Sequence, residues 1–217
     1  MKMEVDHIFV FSDNNGKEAD DLRSFGLIEG SSRVHPGQGT TNRKFYFEDF
    51  FLEVLWVINE KEIQNNITSP TKLWERSQFN KNGYSRYGLC LVNSEATDPL
   101  FENSEVYQPD YFPKGMSIDI ITNKENPVLP WTFRLPYRNE KKVNNEPKIH
   151  LNRIKSLTKV EFEVNTTDKE KEFTNYFSEF SNISFIKSNR SHLTLEFDDQ
   201  KQESEEIFSK LGLTIKY

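Results

Sequence analysis

Two residues in the first quarter of the chain are of the type that holds a cation or moves a proton: His7 in "VDHIFVF" and Glu53 in "FFLEVLWVI". Glu53 interrupts a run that is apolar on both sides, and a buried carboxylate is costly unless something compensates it. An imidazole with a carboxylate suits a divalent ion such as Zn²⁺, Fe²⁺, Mn²⁺ or Ni²⁺. The other way to satisfy Glu53 is hydrogen bonding to His7, Arg43 or backbone amides, with no ion.

Between the two lies "HPGQGTTNR", residues 35–43. Gly37 and Gly39 open backbone conformations closed to other residues and let amides approach a ligand. Thr40 and Asn42 can orient carbonyl or hydroxyl groups. His35, with an ordinary pKa of about 6.5, can exchange protons near neutrality. The competing reading is a tight structural loop in which Thr40 and Asn42 satisfy the turn's own backbone. Elsewhere, Arg134 in "PWTFRLP" is a candidate anchor for an anionic ligand and Trp131 a stacking surface. His150 in "EPKIH" is a rim candidate or a satisfied loop histidine.

The elements that must position these groups follow from periodicity. "EVDHIFVF" reads as a strand, "SDNNGKEADDLRSFG" as a turn and short helix, and "LIEGSSRV", "NRKFYFE" and "FFLEVLWVI" as three more strands. The order through residue 58 is β-α-β-β-β. Residues 156–199 repeat that order, with Phe173, Tyr176, Phe177 and Phe180 on one side of a helix, and "SEEIFSKLG" and "LTIKY" predict a last helix and strand. Between the copies, "TKLWERSQF" reads as helix, and "SRYGLCLV", "SIDIIT" and "WTFRLPY" as strands. The division expected is a first unit over 1–60, a connecting helix and β-rich insertion over 61–150, and a degenerate second unit over 151–217, all within one compact domain.

Composition excludes several classes. A net charge of −6 with interspersed signs lacks the basic excess of a nucleic-acid binder. Hydrophobic content is only 35%, yet aromatics reach 13% with eighteen Phe, which argues for a packed core. Cys90, the one cysteine, sits in "YGLCLV" and reads as a buried structural thiol. No apolar run approaches a membrane span, and the N-terminus lacks a signal-peptide pattern, so a soluble cytoplasmic protein is expected. No phosphate loop, CxxC, HExxH or GxSxG occurs.

The β-α-β-β-β unit, with "DH" in the first strand and "FLEVLWV" as the fourth, resembles the vicinal oxygen chelate superfamily. "HPGQGTTN" is similar to the His-Pro-Gly-x-Gly-Thr-x-Asn loop of its glyoxalase-like subgroup, and "LPWTFRLPY" and "EPKIH" are similar to that subgroup's second part. The resemblance implies an α+β fold in which two βαβββ units curl into mixed sheets around a cup. It implies metal ligands on the first and fourth strands of each unit, hence His7 and Glu53 here, with His35 and Glu53 as catalytic groups. His35, Gly37, Gly39, Thr40, Asn42 and Arg134 are the corresponding substrate-binding candidates. In the second copy, Lys159 stands opposite His7 and cannot ligate; Glu161, His192 or Glu196 could complete a site if their row faced the cup. The implied activity is isomerase, lyase or dioxygenase chemistry on a small oxygen-bearing metabolite. The alternatives are metal-free sequestration of a small molecule and a cup filled by the protein's own Phe side chains. The partner expected is a small molecule, with a homodimer left open.

Overall fold

The computed structural model describes residues 1–140, 144–165 and 171–217. It opens with β1 (Val5–Phe11), α1 (Ala19–Ser24), β2 (Val34–His35), β3 (Thr40–Tyr46) and β4 (Phe51–Val57), in the order expected. Short helices α2 (Glu60–Ile63), α3 (Leu73–Ser77) and α4 (Phe79–Asn82) lead to β5 (Tyr87–Asn93), α5 (Asp98–Phe101), β6 (Glu105–Tyr107), β7 (Ile118–Ile121) and β8 (Trp131–Arg138). The last stretch holds β9 (Leu157–Val164), α6 (Lys171–Phe177), β10 (Ile183–Lys187), β11 (His192–Phe197), β12 (Glu205–Phe208) and β13 (Leu213–Lys216).

Strand pairing decides how the units combine. An eight-stranded sheet runs β2-β3-β4-β1-β5-β8-β7-β6, and a five-stranded sheet runs β10-β9-β11-β13-β12. β1 is parallel to β4 and antiparallel to β5, and β5 is parallel to β8, so the large sheet is two β-α-β-β-β units joined at their first strands. The α+β class and the paired units around a cup hold. The second half-cup, however, comes from residues 87–138, within the stretch read as insertion, and not from 157–216. The final stretch repeats the order of elements but pairs them differently: β9 lies between β10 and β11 and makes no ladder with β1. The acidic "SEEIFSKLG" is also not a helix. It forms edge strand β12 against β13, then a tight turn over Ser209–Leu211, and its charges suit an edge exposed to water.

Alternation along the strands builds two cores. Ile8, Val10, Leu52, Val54, Leu89 and Leu91 face outward and pack with α1 and with Val160, Phe162, Leu193 and Leu195 of the small sheet. Phe9, Phe11, Leu55, Cys90, Trp131 and Phe133 face the other way and form a second core, of which Phe9, Leu55, Trp131 and Phe133 line the cup. One interruption matters for the site. Val5 pairs with Leu91 and His7 with Cys90, which leaves Asp6 as a β-bulge. Val5 stays in the outer core while Asp6 and His7 turn together toward the cup side.

Arg76 of α3 supports the second half. Fully buried, it donates to the carbonyls of Ser85 (3.0 Å), Leu129 (2.9 Å) and Thr122 (2.7 Å). Burial pulls its guanidinium down to about 9, still protonated at neutral pH.

Candidate functional site

Adjacent parallel strands bring His7 of β1 and Glu53 of β4 into one buried cavity of about 250 Å³. His7 Nε2 and Glu53 Oε2 lie 3.9 Å apart, with side chains 12% and 8% exposed. The His7 ring stacks on Phe51 at 4.2 Å, and its Nδ1 meets Asp6 Oδ2 at 2.6 Å. The bulge therefore backs the imidazole with a carboxylate, which favours the Nδ1–H tautomer and leaves Nε2 as an acceptor. Asn42 donates to Glu53 Oε1 at 2.5 Å and accepts from the Arg33 amide at 2.7 Å, which fixes the carboxylate from one side.

Two cations stand near Glu53 in sequence, and neither pairs with it. Lys44 is its cross-strand neighbour on β3, yet its ammonium lies over the rings of Tyr46 (5.4 Å) and Phe51 (6.0 Å). Arg43 points to the opposite face, where it bonds Glu29 at 2.7 Å and Asp20 at 2.9 Å. Glu53 is thus met by the Asn42 amide and the His7 ring.

The 35–43 loop does two jobs. His35, Gln38 and Asn42 line the cavity, whereas Gly37, Gly39 and Thr40 do not. Gly39, at φ +74°, presses against the start of α2, where an added Cβ would lie 2.2 Å from the Asn59 carbonyl. Gly37 donates its amide to Glu62 at 2.7 Å. Thr40 Oγ1 takes a bond from the Gln38 amide (2.8 Å) and meets His35 Nδ1 at 2.9 Å. The Thr40 hydroxyl keeps a proton to donate and a second lone pair, so it satisfies Nδ1 of neutral His35 in either tautomer and fixes the ring's orientation. Burial lowers the His35 pKa, partly offset by Glu53, so the ring is neutral at pH 7. Gln38 Oε1 in turn accepts from Tyr111 (3.1 Å) and Tyr107 (3.3 Å). Burial pushes both phenols up, Tyr107 to about 12, so both remain donors.

The second half-cup contributes differently. Trp131, Phe133 and Leu135 of β8 wall the cavity, and Gly88 of β5 lies under the Phe9 ring, where a Cβ would come within 2.0 Å. Arg134 reaches the cavity but is held by Asp119 and Asp98, each at 2.8 Å. Trp131 Nε1 is buried with no hydrogen-bond partner among the described residues. The remaining candidates lie elsewhere. His150 accepts from the Ile28 amide (3.0 Å) and donates to the Tyr46 carbonyl (2.9 Å), which pins the chain entering the small sheet to the first unit. His192 bonds Thr214 at 2.8 Å, Glu196 bonds Gln200, and Lys159 pairs with Glu161, all on the small sheet's face away from its core.

A divalent ion fits the His7–Glu53 pair in chemistry and approximately in distance. Bonds of about 2.1 Å place neighbouring donors roughly 3.0–3.4 Å apart, so the pair, now at 3.9 Å, has to close by about 0.5–0.9 Å. Among the described residues, Asp6, His7 and Cys90 also bring donor atoms within 4.8 Å of one another, while His35 forms no such group with His7 and Glu53. Cys90 is fully buried and absent from the cavity wall, as a structural thiol would be. The sequence reading missed Asp6, Gln38, Lys44 and Tyr111. Lys44 was accessible from the alternation of β3, since it shares a face with Asn42; Tyr111 arrives from a loop without periodicity.

No protein-family model matches the chain, and no curated protein matches it. Among solved structures, a hypothetical protein from Staphylococcus aureus superposes with a TM-score of 0.55 at 14% identity, over 98% of both chains. A xylose isomerase-like TIM barrel/4-hydroxyphenylpyruvate dioxygenase fusion protein superposes with a TM-score of 0.50 at 7% identity, over 96% of this chain and 37% of that one. At such identities the likeness concerns the fold alone, paired curled mixed sheets of the glyoxalase/dioxygenase-like kind. No helix among the described residues is long and apolar enough to cross a membrane.

Proposed function

We propose that the chain is a glyoxalase-like protein whose cup binds a small oxygen-bearing metabolite together with a divalent cation held by His7 and Glu53. The observation that carries this reading is the situation of Glu53. It is buried, it lies opposite a lysine that does not pair with it, and its closest polar contacts are a neutral amide and an imidazole. A carboxylate in that position is compensated best by a cation. Asp6 orients His7, and Asn42 orients Glu53. His35, neutral and bonded through Nδ1 to Thr40, presents Nε2 for proton exchange with the ligand. A bound Zn²⁺, Fe²⁺, Mn²⁺ or Ni²⁺ would supply Lewis-acid polarisation of ligand oxygens, suited to isomerase, lyase or dioxygenase chemistry. Among the described residues His7 and Glu53 would be the donors facing the cavity, which would leave such an ion open to ligand oxygens.

The test is elemental analysis of protein purified without added metal, followed by calorimetric titration with Mn²⁺ and Zn²⁺. Near-stoichiometric uptake that is lost in His7→Ala/Glu53→Ala, with circular dichroism unchanged, supports the centre. A wild-type protein that takes up neither ion overturns it. The second reading, metal-free binding of a small molecule, is favoured by the aromatic wall of Phe9, Trp131 and Phe133 facing the pair, and a metal-free cup that still binds ligands would establish it.

A further inference from the structure

Arg33 and Lys44 occupy a special place in the cup. The inner cavity opens into an outer vestibule of about 650 Å³, and the two share His7, Arg33, Lys44, Phe51, Leu135 and Pro136 as walls. These residues form the neck where the two spaces meet. Both cations are laid over aromatic faces, Arg33 over Tyr111 at 5.1 Å and Lys44 over Tyr46 and Phe51. Ring faces restrict where the charges can sit without neutralising them. Neither has a carboxylate partner among the described residues. Lys44 in particular bypasses Glu53, its own cross-strand neighbour.

The acids around the vestibule are, by contrast, engaged. Glu146 accepts from the amide and hydroxyl of Ser31, Glu48 from Ser156 at 3.2 Å, and Asp49 from the Leu157 amide at 3.0 Å, while Asp6 is turned to His7. The neck therefore offers positive charge with no carboxylate in direct contact among the described residues, Lys44 acting on Glu146 only through space. Below it, the cavity wall is mainly aromatic and aliphatic: Phe9, Leu55, Ile118, Trp131 and Phe133.

We infer that the ligand of this cup is an amphipathic organic anion: its carboxylate or phosphate lies at the neck between Arg33 and Lys44, and its apolar end lies inward against Phe9, Trp131 and Phe133. The assignment rests on the cup being a small-molecule site, as proposed above, but not on the cation. A planar guanidinium and a point-like ammonium together grip an oxyanion by charge-assisted bonds. The inner volume is below the usual range of about 300–1,000 Å³ for ligand pockets, so the apolar part is a single ring or a short branched chain.

The experiment titrates 3-phenylpropionate, phenyl phosphate and neutral 3-phenylpropanol into the full chain, read by calorimetry and by intrinsic tryptophan fluorescence, to which Trp131 of the cavity wall contributes. At least one anion is expected to bind tenfold or more tightly than the alcohol. Arg33→Met/Lys44→Met is expected to remove that preference while alcohol affinity stays within about twofold. The carboxylate and phosphate arms identify which oxyanion the neck takes. Equal binding of the alcohol and both anions, binding of none of them at millimolar concentration, or a preference that survives the double substitution overturns the inference. The series is repeated on chelator-treated protein and on His7→Ala/Glu53→Ala. Preference retained there, with no metal uptake, removes the cation centre and leaves the anion neck standing; metal uptake without preference does the reverse.

Discussion

The half-cup built on β1 and β4 presents Asp6, His7, Asn42, Lys44 and Glu53 to the cup, whereas β5 and β8 present Trp131, Phe133 and Leu135, with Gly88 and Cys90 closed off in the packed seam. The two halves share an order of elements and a pairing scheme, and they differ almost completely in what their inward rows carry. One half concentrates the titratable groups; the other supplies an apolar wall and a close-packed seam at Gly88. Its arginine, Arg134, is tied to Asp98 and Asp119 and so acts first as a brace. The lesson is that a duplicated scaffold lets chemistry and packing separate. Side chains in one copy can be costly in stability because the other is optimised for contact.

That comparison can be broken most severely at Arg76. Arg76→Met removes donors from three buried carbonyls that hold the loops entering β5 and β8. Unfolding in urea is expected to show a loss of about 3 kcal/mol or more; a loss below 1 kcal/mol would mean the second half needs no such brace. Gly88→Ala is next. Its methyl meets the Phe9 ring, so the ring must shift from the seam into the cavity. A destabilisation of about 1–3 kcal/mol is expected from overpacking, with ligand and metal uptake both weakened although no polar group is touched. Unchanged binding would show that the seam and the site are independent.

The smallest effect is a pH dependence that spares the second half-cup. Burial lowers the pKa values of His35, His150 and His192, and none of these lies in β5–β8. Folded values below the ordinary 6.5 mean that unfolding takes up protons. The stability they contribute is complete above pH 6.5 and declines as pH falls from there through the folded values. The melting temperature is expected to drop between pH 7 and pH 5, with amide exchange rising in β2 and β3 before β5 and β8. A flat profile would contradict the assignment of these rings as neutral.

The legible part of the molecule was the part in which adjacent strands are also close in sequence. The order β1-α1-β2-β3-β4 follows from short connections and strand-like runs, whereas the meeting of His7 and Glu53 was what the family resemblance implied, since the run around Glu53 is apolar on both faces and does not fix which way the carboxylate points. The second half-cup was not legible for the opposite reason. Its helix, α5, is four residues long, β6 only three, and both lie in a Pro- and Asn-rich stretch that reads as loop. The final stretch has the stronger helix and strand signals, so periodicity favoured the wrong copy; which strand pairs with β1 is a tertiary fact. The "HPGQGTTNR" loop was half legible. Its glycines mark a turn, but only the contact of Gly39 with Asn59 shows that the turn is clamped to α2.

The bulge at Asp6 has a consequence for how such a site can arise or vanish. The residues on either side of it already face consecutive partners, Leu91 and Cys90. Losing one codon there would leave a regular ladder, with Val5 still outward and His7 still inward, and would convert an acid–imidazole dyad into a solitary ring. Gaining the dyad takes one inserted residue and no change in any other strand, a short evolutionary path between a scaffold that merely packs and one that holds an imidazole in a fixed orientation.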